Sequence, residues 1–131
     1  RDLRMSRGLG DVYKRQILML SQRMGKVRSI DVVNELGFTK ASVSIAMKKL
    51  RENGYIAVDG EGNLTLLEPG REIAERIYSR HRLLTHFFVQ LGVDEEIAAE
   101  DACKAEHILS EQTLEKIREY ALLHDAQDSV K

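Results

Sequence analysis

The chain has 131 residues, of which 43% are hydrophobic and 31% charged, so it suits one soluble domain or two small units that share a core. No segment approaches the run of about 20 apolar residues that a membrane helix needs, and no signal peptide is visible. The single cysteine excludes an internal disulfide, which fits a reducing, cytoplasmic setting.

The net charge of −1 is unevenly distributed along the chain. Residues 17–91 carry eleven Lys and Arg against eight Asp and Glu, whereas residues 92–131 carry four against eleven. A chain with a mildly basic front and an acidic back can bind a polyanion through one end only. Any polyanion-binding element is therefore expected in the front part.

Residues 1–16, RDLRMSRGLGDVYKRQ, differ from the rest because they have no sustained apolar period, whereas the chain after Ile17 is regularly patterned. Residues 11–16 also resemble the translation of a transposon-end adapter used in sequencing libraries. We interpret residues 1–16 as a non-native, adapter-derived segment that should be left out of fold reasoning. The alternative is a genuine basic and flexible N-terminal arm.

The front part predicts two short helices after a first one. Residues 17–20 form the back half of the first helix, which ends near Gly25. Ser29 is the expected N-cap of a second helix whose inner residues are Ile30, Val33 and Leu36.

The next helix is predicted from Lys40 to Glu52, with Thr39 as its N-cap and Gly54 as its left-handed C-terminal residue. Its apolar positions recur with the helical period and are Val43, Ala46, Met47 and Leu50.

A hairpin follows, with strands at residues 55–58 and 63–67 and a turn at residues 59–62. Two helices and a hairpin form the pattern of a winged helix-turn-helix, whose second helix enters the DNA major groove. The alternative is a structural module without nucleic acid. The polar start and basic end of the second helix favour DNA.

The second half predicts helices at residues 69–91, 94–110 and 110–123, and a polar tail at residues 124–131. His81 lies within the apolar stripe of the first of these helices. A histidine there is more often a hydrogen-bonded core residue than a ligand, but a ligand would have to occupy this position to meet another helix. The inner residues expected for the three helices include Ile73, Ile77, Leu84, Phe88, Leu91, Ala98, Ala102, Ala105, Leu109, Leu114, Ile117, Tyr120 and Ala121.

Cys103, Glu106 and His107 have the i, i+3, i+4 spacing that places side chains on one helix face. A thiol, a carboxylate and an imidazole side by side can bind a transition metal. The alternative is a buried cysteine beside a glutamate and a histidine that face water.

Several motifs in the same order resemble the iron- and manganese-dependent repressors of the diphtheria-toxin-repressor and manganese-transport-regulator family. They are TKASVS (39–44), LRENGY (50–55), RHRLL (80–84), LGV (91–93) and ACKAEHILS (102–110). The resemblance covers roughly residues 17–121 and corresponds to the short form without a C-terminal barrel domain.

The resemblance implies a mainly α fold, with a winged helix-turn-helix DNA-binding domain at residues 17–68 and a helical metal-binding and dimerisation domain at residues 69–123. It implies a homodimer whose recognition helices are spaced by bound metal to fit double-stranded operator DNA. The expected function is repression of metal-uptake genes, with no small-molecule substrate and no membrane partner.

By position, the residues that match the family's metal ligands are His81, Cys103, Glu106 and His107. Cys103 is a softer ligand than the glutamate of manganese-type members and tilts the site slightly toward Fe²⁺, although Mn²⁺ and Fe²⁺ both stay open.

Other family ligand positions carry different residues here. Thr85 and Ala99 occupy the accessory site of iron-type members, so that site is expected to be degraded. Val12 and Arg15 occupy the first-helix positions of the manganese-type ligands. Because these two lie in the adapter-like segment, a chain with its natural first helix is expected to bind metal more tightly.

The residues expected to contact DNA lie in the second helix of the winged module and are Thr39, Lys40, Ala41, Ser42, Ser44, Ile45 and Lys48. Ala41 and Ile45 match base-reading positions of iron-type members and would meet thymine methyl groups. The wing, residues 59–63, carries two acids and no base, so its usual contact with the DNA backbone is not expected.

Two other function classes compete with a metal-gated repressor. One is a metal-independent winged-helix regulator in which Cys103 is structural or senses oxidation. The other is a metal-dependent hydrolase, which needs an open coordination position and a nearby general base. Since the ligand set offers no candidate base beyond Glu106 itself, and the chain has no Gly-rich phosphate loop or nucleophile elbow, the sequence predicts that the protein is not an enzyme.

Overall fold

A computed structural model describes the backbone of residues 3–130 and the side chains of residues 9–126. Residues 1, 2 and 131, which belong to the predicted adapter segment and polar tail, lie outside the described residues. The described elements are α1 (Leu3–Met24), β1 (Val27–Arg28), α2 (Ser29–Leu36), α3 (Lys40–Glu52), β2 (Ile56–Val58), β3 (Asn63–Leu66), α4 (Glu68–Gln90), α5 (Glu95–Ala105) and α6 (Glu111–Val130). The predicted mainly α fold, with a winged helix-turn-helix followed by helices, is confirmed.

The chain divides into two compact units, residues 1–76 and residues 77–131, which we call the front unit and the rear unit. The division falls inside α4, whereas the sequence pattern placed a domain boundary at the start of that helix. Among the described residues, no helix combines the length and apolarity needed to cross a membrane.

The prediction for α3 is confirmed in both its bounds and its inner face. The Thr39 hydroxyl accepts a hydrogen bond from the Ser42 amide at 3.1 Å, as expected of an N-cap. Val43, Met47 and Leu50 are buried in the front core, where burial of each apolar side chain stabilises the fold by about 1.5–3 kcal/mol.

The prediction for α2 is wrong in its N-cap and in part of its inner face. The N-cap is Arg28, whose amide donates to the Asp31 carboxylate at 2.9 Å. Val32 is fully buried, whereas Ile30 is exposed. An eight-residue helix holds too few apolar residues for their period to define its buried face.

The three strands form an antiparallel sheet in the order β1-β3-β2. No sequence pattern predicts β1, because a two-residue strand has no period and exists only through its pairing with β3. Val27 is paired with Leu64, and Arg28 with Asn63. This register brings the chain before α2 beside the hairpin.

Gly70 allows α4 to begin close to the hairpin. A Cβ atom at this position would lie 2.3 Å from the Tyr55 carbonyl oxygen, and Gly70 is buried. That oxygen also accepts a hydrogen bond from the Leu67 amide at 2.9 Å. The front unit therefore packs backbone against backbone where the hairpin leads into α4.

The rear unit has a small core built from Leu84, Ala102 and Leu114, with the predicted Phe88, Ala105, Leu109 and Ile117 packed against it. Leu91 and Tyr120 were predicted as inner residues and are exposed instead. Leu91 follows the last residue of α4 and so leaves the helical period. Also, α6 continues past its predicted end at Leu123, because its last residues include no glycine or proline.

Candidate metal centre and DNA-binding helix

All seven residues predicted to contact DNA are exposed on α3 or at its N-cap, which is the surface that a recognition helix needs. The Thr39 and Ser42 hydroxyl groups lie 2.6 Å apart, so the first turn carries a local polar pair. One turn further along, the apolar Ile45 side chain is 59% exposed. The helix therefore presents hydroxyl groups and an apolar contact together.

Asp59, the only aspartate in the β2–β3 turn, is hydrogen-bonded to other residues of that turn. The Asp59 carboxylate accepts hydrogen bonds from the Asn63 amide at 2.9 Å, the Asn63 side chain at 3.0 Å and the Glu61 amide at 2.9 Å. The hydrogen bonds from Asn63 lower the pKa of Asp59, with a smaller contribution from the nearby charge of Lys26. As predicted from the sequence, the turn offers no base of its own.

Sequence reasoning missed a cation beside this turn. The Arg28 side chain covers Gly62 so closely that a Cβ atom there would lie 3.3 Å from Arg28 Nη2. Gly62 also has a φ of +85°, which favours glycine. No signal in the hairpin sequence could have revealed the contact, because Arg28 arrives through the β1–β3 pairing.

The candidate metal centre in the rear unit is built around Glu106, whose side chain is fully buried. The helix α5 ends one residue earlier than Glu106, so the prediction of one helix through Ser110 is wrong. Glu106 is the C-cap, and its amide donates to the Ala102 carbonyl at 2.9 Å. Arg80 of α4 donates to the Glu106 carbonyl at 3.1 Å, which helps to hold the cap in place.

Two predicted ligands flank the Glu106 carboxylate. His81 Nδ1 lies 3.1 Å from Glu106 Oε2, and His107 Nε2 lies 3.4 Å from Glu106 Oε1. The first pair joins α4 to the end of α5, which a spacing argument could not show. His107 Nε2 is buried and makes no hydrogen bond in the structure.

The donor types fit a divalent transition metal, since imidazole nitrogen, carboxylate oxygen and thiol sulfur are all its ligands in proteins. The buried His107 Nε2 atom without a hydrogen bond also fits, because a metal ion would satisfy it. However, no three His, Cys, Asp or Glu side chains among the described residues are arranged as a ready metal site. Cys103 is partly buried in the last turn of α5, and its place beside Glu106 stays a prediction.

The other family ligand positions hold different chemistry. The Thr85 hydroxyl donates to the His81 carbonyl at 2.7 Å, and Ala99 has no donor atom in its side chain. In the front unit, Arg15 is buried and donates to Gln16 Oε1 at 3.1 Å and to Met19 Sδ at 3.6 Å. A guanidinium cannot act as a metal ligand because it has no acceptor.

Two family models together match most of the chain. Residues 10–64 match the iron dependent repressor N-terminal DNA binding domain, and residues 67–123 match the iron dependent repressor metal binding and dimerisation domain. An HTH-type transcriptional regulator of Methanocaldococcus jannaschii, itself uncharacterized, is 32% identical over 115 residues, covering 87% of this chain and 92% of its own. The chain belongs to the iron-dependent repressor family. The resemblance drawn from the sequence is thereby confirmed.

Other relatives agree with this assignment. The HTH-type transcriptional regulator MntR of Bacillus subtilis is 31% identical over 119 residues, covering 91% of this chain and 84% of its own. A manganese-dependent transcriptional repressor in complex with manganese is 27% identical, with a TM-score of 0.76, and is matched over 86% of this chain and 52% of its own. The chain therefore spans about half the length of that solved structure. IdeR of T. acidophilum, at 22% identity and a TM-score of 0.76, supports the fold.

This member of the iron-dependent repressor family is a metal-dependent, DNA-binding transcriptional regulator. DNA-binding transcriptional regulators are not an enzyme class.

Proposed function

We propose that this family member is a homodimeric repressor of metal-ion uptake genes, which binds double-stranded operator DNA in the cytoplasm when Mn²⁺ or Fe²⁺ is plentiful. The observation that carries the proposal is the buried Glu106 carboxylate between His81 and His107, in the region that matches a metal-binding and dimerisation model. The same chain exposes the polar and apolar residues of α3 in the region that matches a DNA-binding model.

The metal ligands we propose are His81, Cys103, Glu106 and His107. A bound divalent ion would supply positive charge beside the buried Glu106 carboxylate. The chain's contribution is to orient the donors: Arg80 holds the Glu106 backbone, and the 3.1 Å contact with His81 fixes one carboxylate oxygen toward α4. Cys103 completes the set from the turn before Glu106.

Both metals are supported by relatives. The family models are named for iron, whereas MntR of Bacillus subtilis and the manganese-bound repressor structure point to manganese. The soft Cys103 sulfur favours Fe²⁺ over Mn²⁺ slightly, and the Glu106 oxygen suits either.

The DNA contacts we propose come from α3. Thr39, Lys40, Ser42, Ser44 and Lys48 would donate to phosphates or base edges. Ala41 and Ile45 would contact thymine methyl groups in the major groove. Exposure of all seven side chains supports this assignment.

Metal-gated DNA binding is the central test. A duplex selected by the wild-type chain from a random library in Mn²⁺ would be titrated with and without Mn²⁺. We expect the wild-type affinity to rise with Mn²⁺, and His107→Ala to lose at least about ten-fold of that gain, since even outer partners of metal ligands cost that much. The matched control is His86→Ala, an exposed histidine of the same unit that pairs with Asp125.

The outcomes separate the candidate functions. If wild type and His107→Ala both bind the duplex equally well with and without Mn²⁺, the protein is a metal-independent winged-helix regulator. In that case, Cys103 would be structural or would sense oxidation. If His86→Ala loses the response as His107→Ala does, the loss reflects general damage to the rear unit and not a ligand.

We also infer that residues 1–16 are not native. In support, three consecutive polar residues of α1, Lys14, Arg15 and Gln16, are buried, which is rare for such residues. Tyr13, however, packs in the front core with its ring edge-on to Phe38 at 6.0 Å, and the DNA-binding family model begins at residue 10. Sequencing the gene from an uncut genomic clone decides the matter, because codons for residues 11–16 in that clone would refute the inference.

A further inference from the structure

The winged module lacks a basic group where a wing would meet the DNA backbone. Its turn carries Asp59 and Glu61, and the Asp59 oxygens are held inside the turn by three donors. An acidic turn beside phosphate costs binding energy unless nearby cations offset it. Contact between this turn and the DNA backbone therefore needs positive charge from residues outside the turn.

Two cations lie next to the turn, Arg28 on β1 and Lys26 directly before that strand. Arg28 is exposed, pairs through its backbone with Asn63, and places its guanidinium over Gly62. Within the side chains that the structure describes, no carboxylate forms an ion pair with this guanidinium. Its planar donors are therefore available to a phosphate, which they match in geometry.

Lys26 is the second cation near the turn. It is exposed one residue before β1, and its charge is close enough to lower the pKa of Asp59. Lys26 thus acts on the one acid whose position the turn fixes. Arg28 on β1 and Lys26 just before it are therefore the cations beside the turn.

We propose that Lys26 and Arg28 form a phosphate-binding edge that replaces the wing tip in DNA binding. The partner is the sugar–phosphate backbone of double-stranded DNA, read without regard to sequence. This inference rests on the proposed function, because it adds a second contact to the DNA that α3 binds. It assigns the contact to β1 and the residue before it, and not to the hairpin turn.

The salt dependence of binding tests the proposal. The probe is the selected duplex in saturating Mn²⁺, titrated between about 50 and 200 mM salt. Loss of one phosphate contact per subunit lowers the slope of log affinity against log salt by about 0.9, or about 1.8 per dimer. We expect this change for Arg28→Gln and again for Lys26→Gln, and a wild-type slope for Arg28→Lys, which keeps the charge.

The matched control is Arg71→Gln. Arg71 is an exposed arginine of the same unit, but Glu75 already pairs with it at 3.5 Å. We expect its slope to equal that of wild type. Thermal unfolding of every variant checks the fold, and Lys26→Gln carries the test if Arg28→Gln does not unfold cooperatively.

The results also separate this inference from the function on which it rests. Wild-type slopes for Lys26→Gln and Arg28→Gln, with metal-gated binding intact, would overturn the phosphate-binding edge alone. Failure of the wild-type chain to bind any duplex in Mn²⁺ would instead overturn the proposed function. Equal slope changes for Arg71→Gln and Arg28→Gln would show a general charge effect, which also refutes the edge.

Discussion

At the scale of single residues, Gly70 lies where α4 passes close to the backbone of the hairpin. A methyl group there would lie 2.3 Å from the Tyr55 carbonyl oxygen, which is backbone and cannot turn aside. We expect Gly70→Ala to lower the free energy of unfolding by about 1–3 kcal/mol, as overpacking does. Denaturant unfolding measures this, with Gly60→Ala as control.

The Gly60 control isolates the packing effect. A Cβ atom at Gly60 meets nothing within 4 Å, and its backbone is not in the left-handed region. The two variants therefore differ in the space around the new methyl group. An equal stability for Gly70→Ala and Gly60→Ala would show that α4 shifts away from the hairpin without cost.

Asp59 gives a prediction for pH. Its pKa is lowered chiefly by hydrogen bonds from Asn63, so the ionised form is favoured by the folded turn. Its stabilising effect is fully present above the ordinary pKa of aspartate, about 3.9, and is lost as the pH falls through the lowered value. An NMR titration of the Asp59 carboxyl should show a midpoint below the ordinary one, which Asn63→Ala moves back up.

At the scale of elements, α3 is expected to make two kinds of DNA contact, which two substitutions can distinguish. Lys48→Gln removes a charge, so we expect weaker binding to all duplexes and a smaller salt slope. Ile45→Ala removes an exposed apolar group, so we expect about 1–3 kcal/mol less discrimination at one base pair and an unchanged salt slope. Binding to the selected duplex and to single-base variants measures both. A change of salt slope for Ile45→Ala would contradict the assignment.

The same element shows why parts of the fold were predictable. The bounds of α3 follow from local signals, namely the Thr39 cap, the apolar period and Gly54. The end of α5 does not, because Glu106 and His107 are compatible with helix, and the helix ends at contacts with α4. Likewise, β1 exists only through pairing with residues far along the chain.

The candidate metal site was likewise predictable from the sequence only in part. The residue types and order of Cys103, Glu106 and His107 are visible in the sequence, and so is the position of His81 in an apolar stripe. The 3.1 Å approach of His81 to Glu106 depends on how α4 and α5 pack. The Arg28 guanidinium over Gly62 depends on strand register, which no local pattern encodes.

At the scale of the whole molecule, the proposed function requires that metal binding and DNA binding are thermodynamically coupled. If Mn²⁺ raises the affinity for the selected duplex by some factor, the duplex must raise the affinity for Mn²⁺ by the same factor. Calorimetric Mn²⁺ titrations of free and DNA-bound protein measure this, and we expect His107→Ala to reduce both factors together. Unequal factors would mean that Mn²⁺ also binds to the DNA or to a second state of the protein.

The pairing of β1 with β3 also bears on how the front unit opens. Val27 and Leu64 are both buried. Val27 precedes α2 and α3 in the sequence and Leu64 follows them, so the pairing of these two residues closes a long loop. Closing such a loop has an entropic cost that must be met before this non-local contact can form. The amide hydrogens of this ladder should therefore exchange with solvent only when α2, α3 and the sheet open together as one cooperative unit.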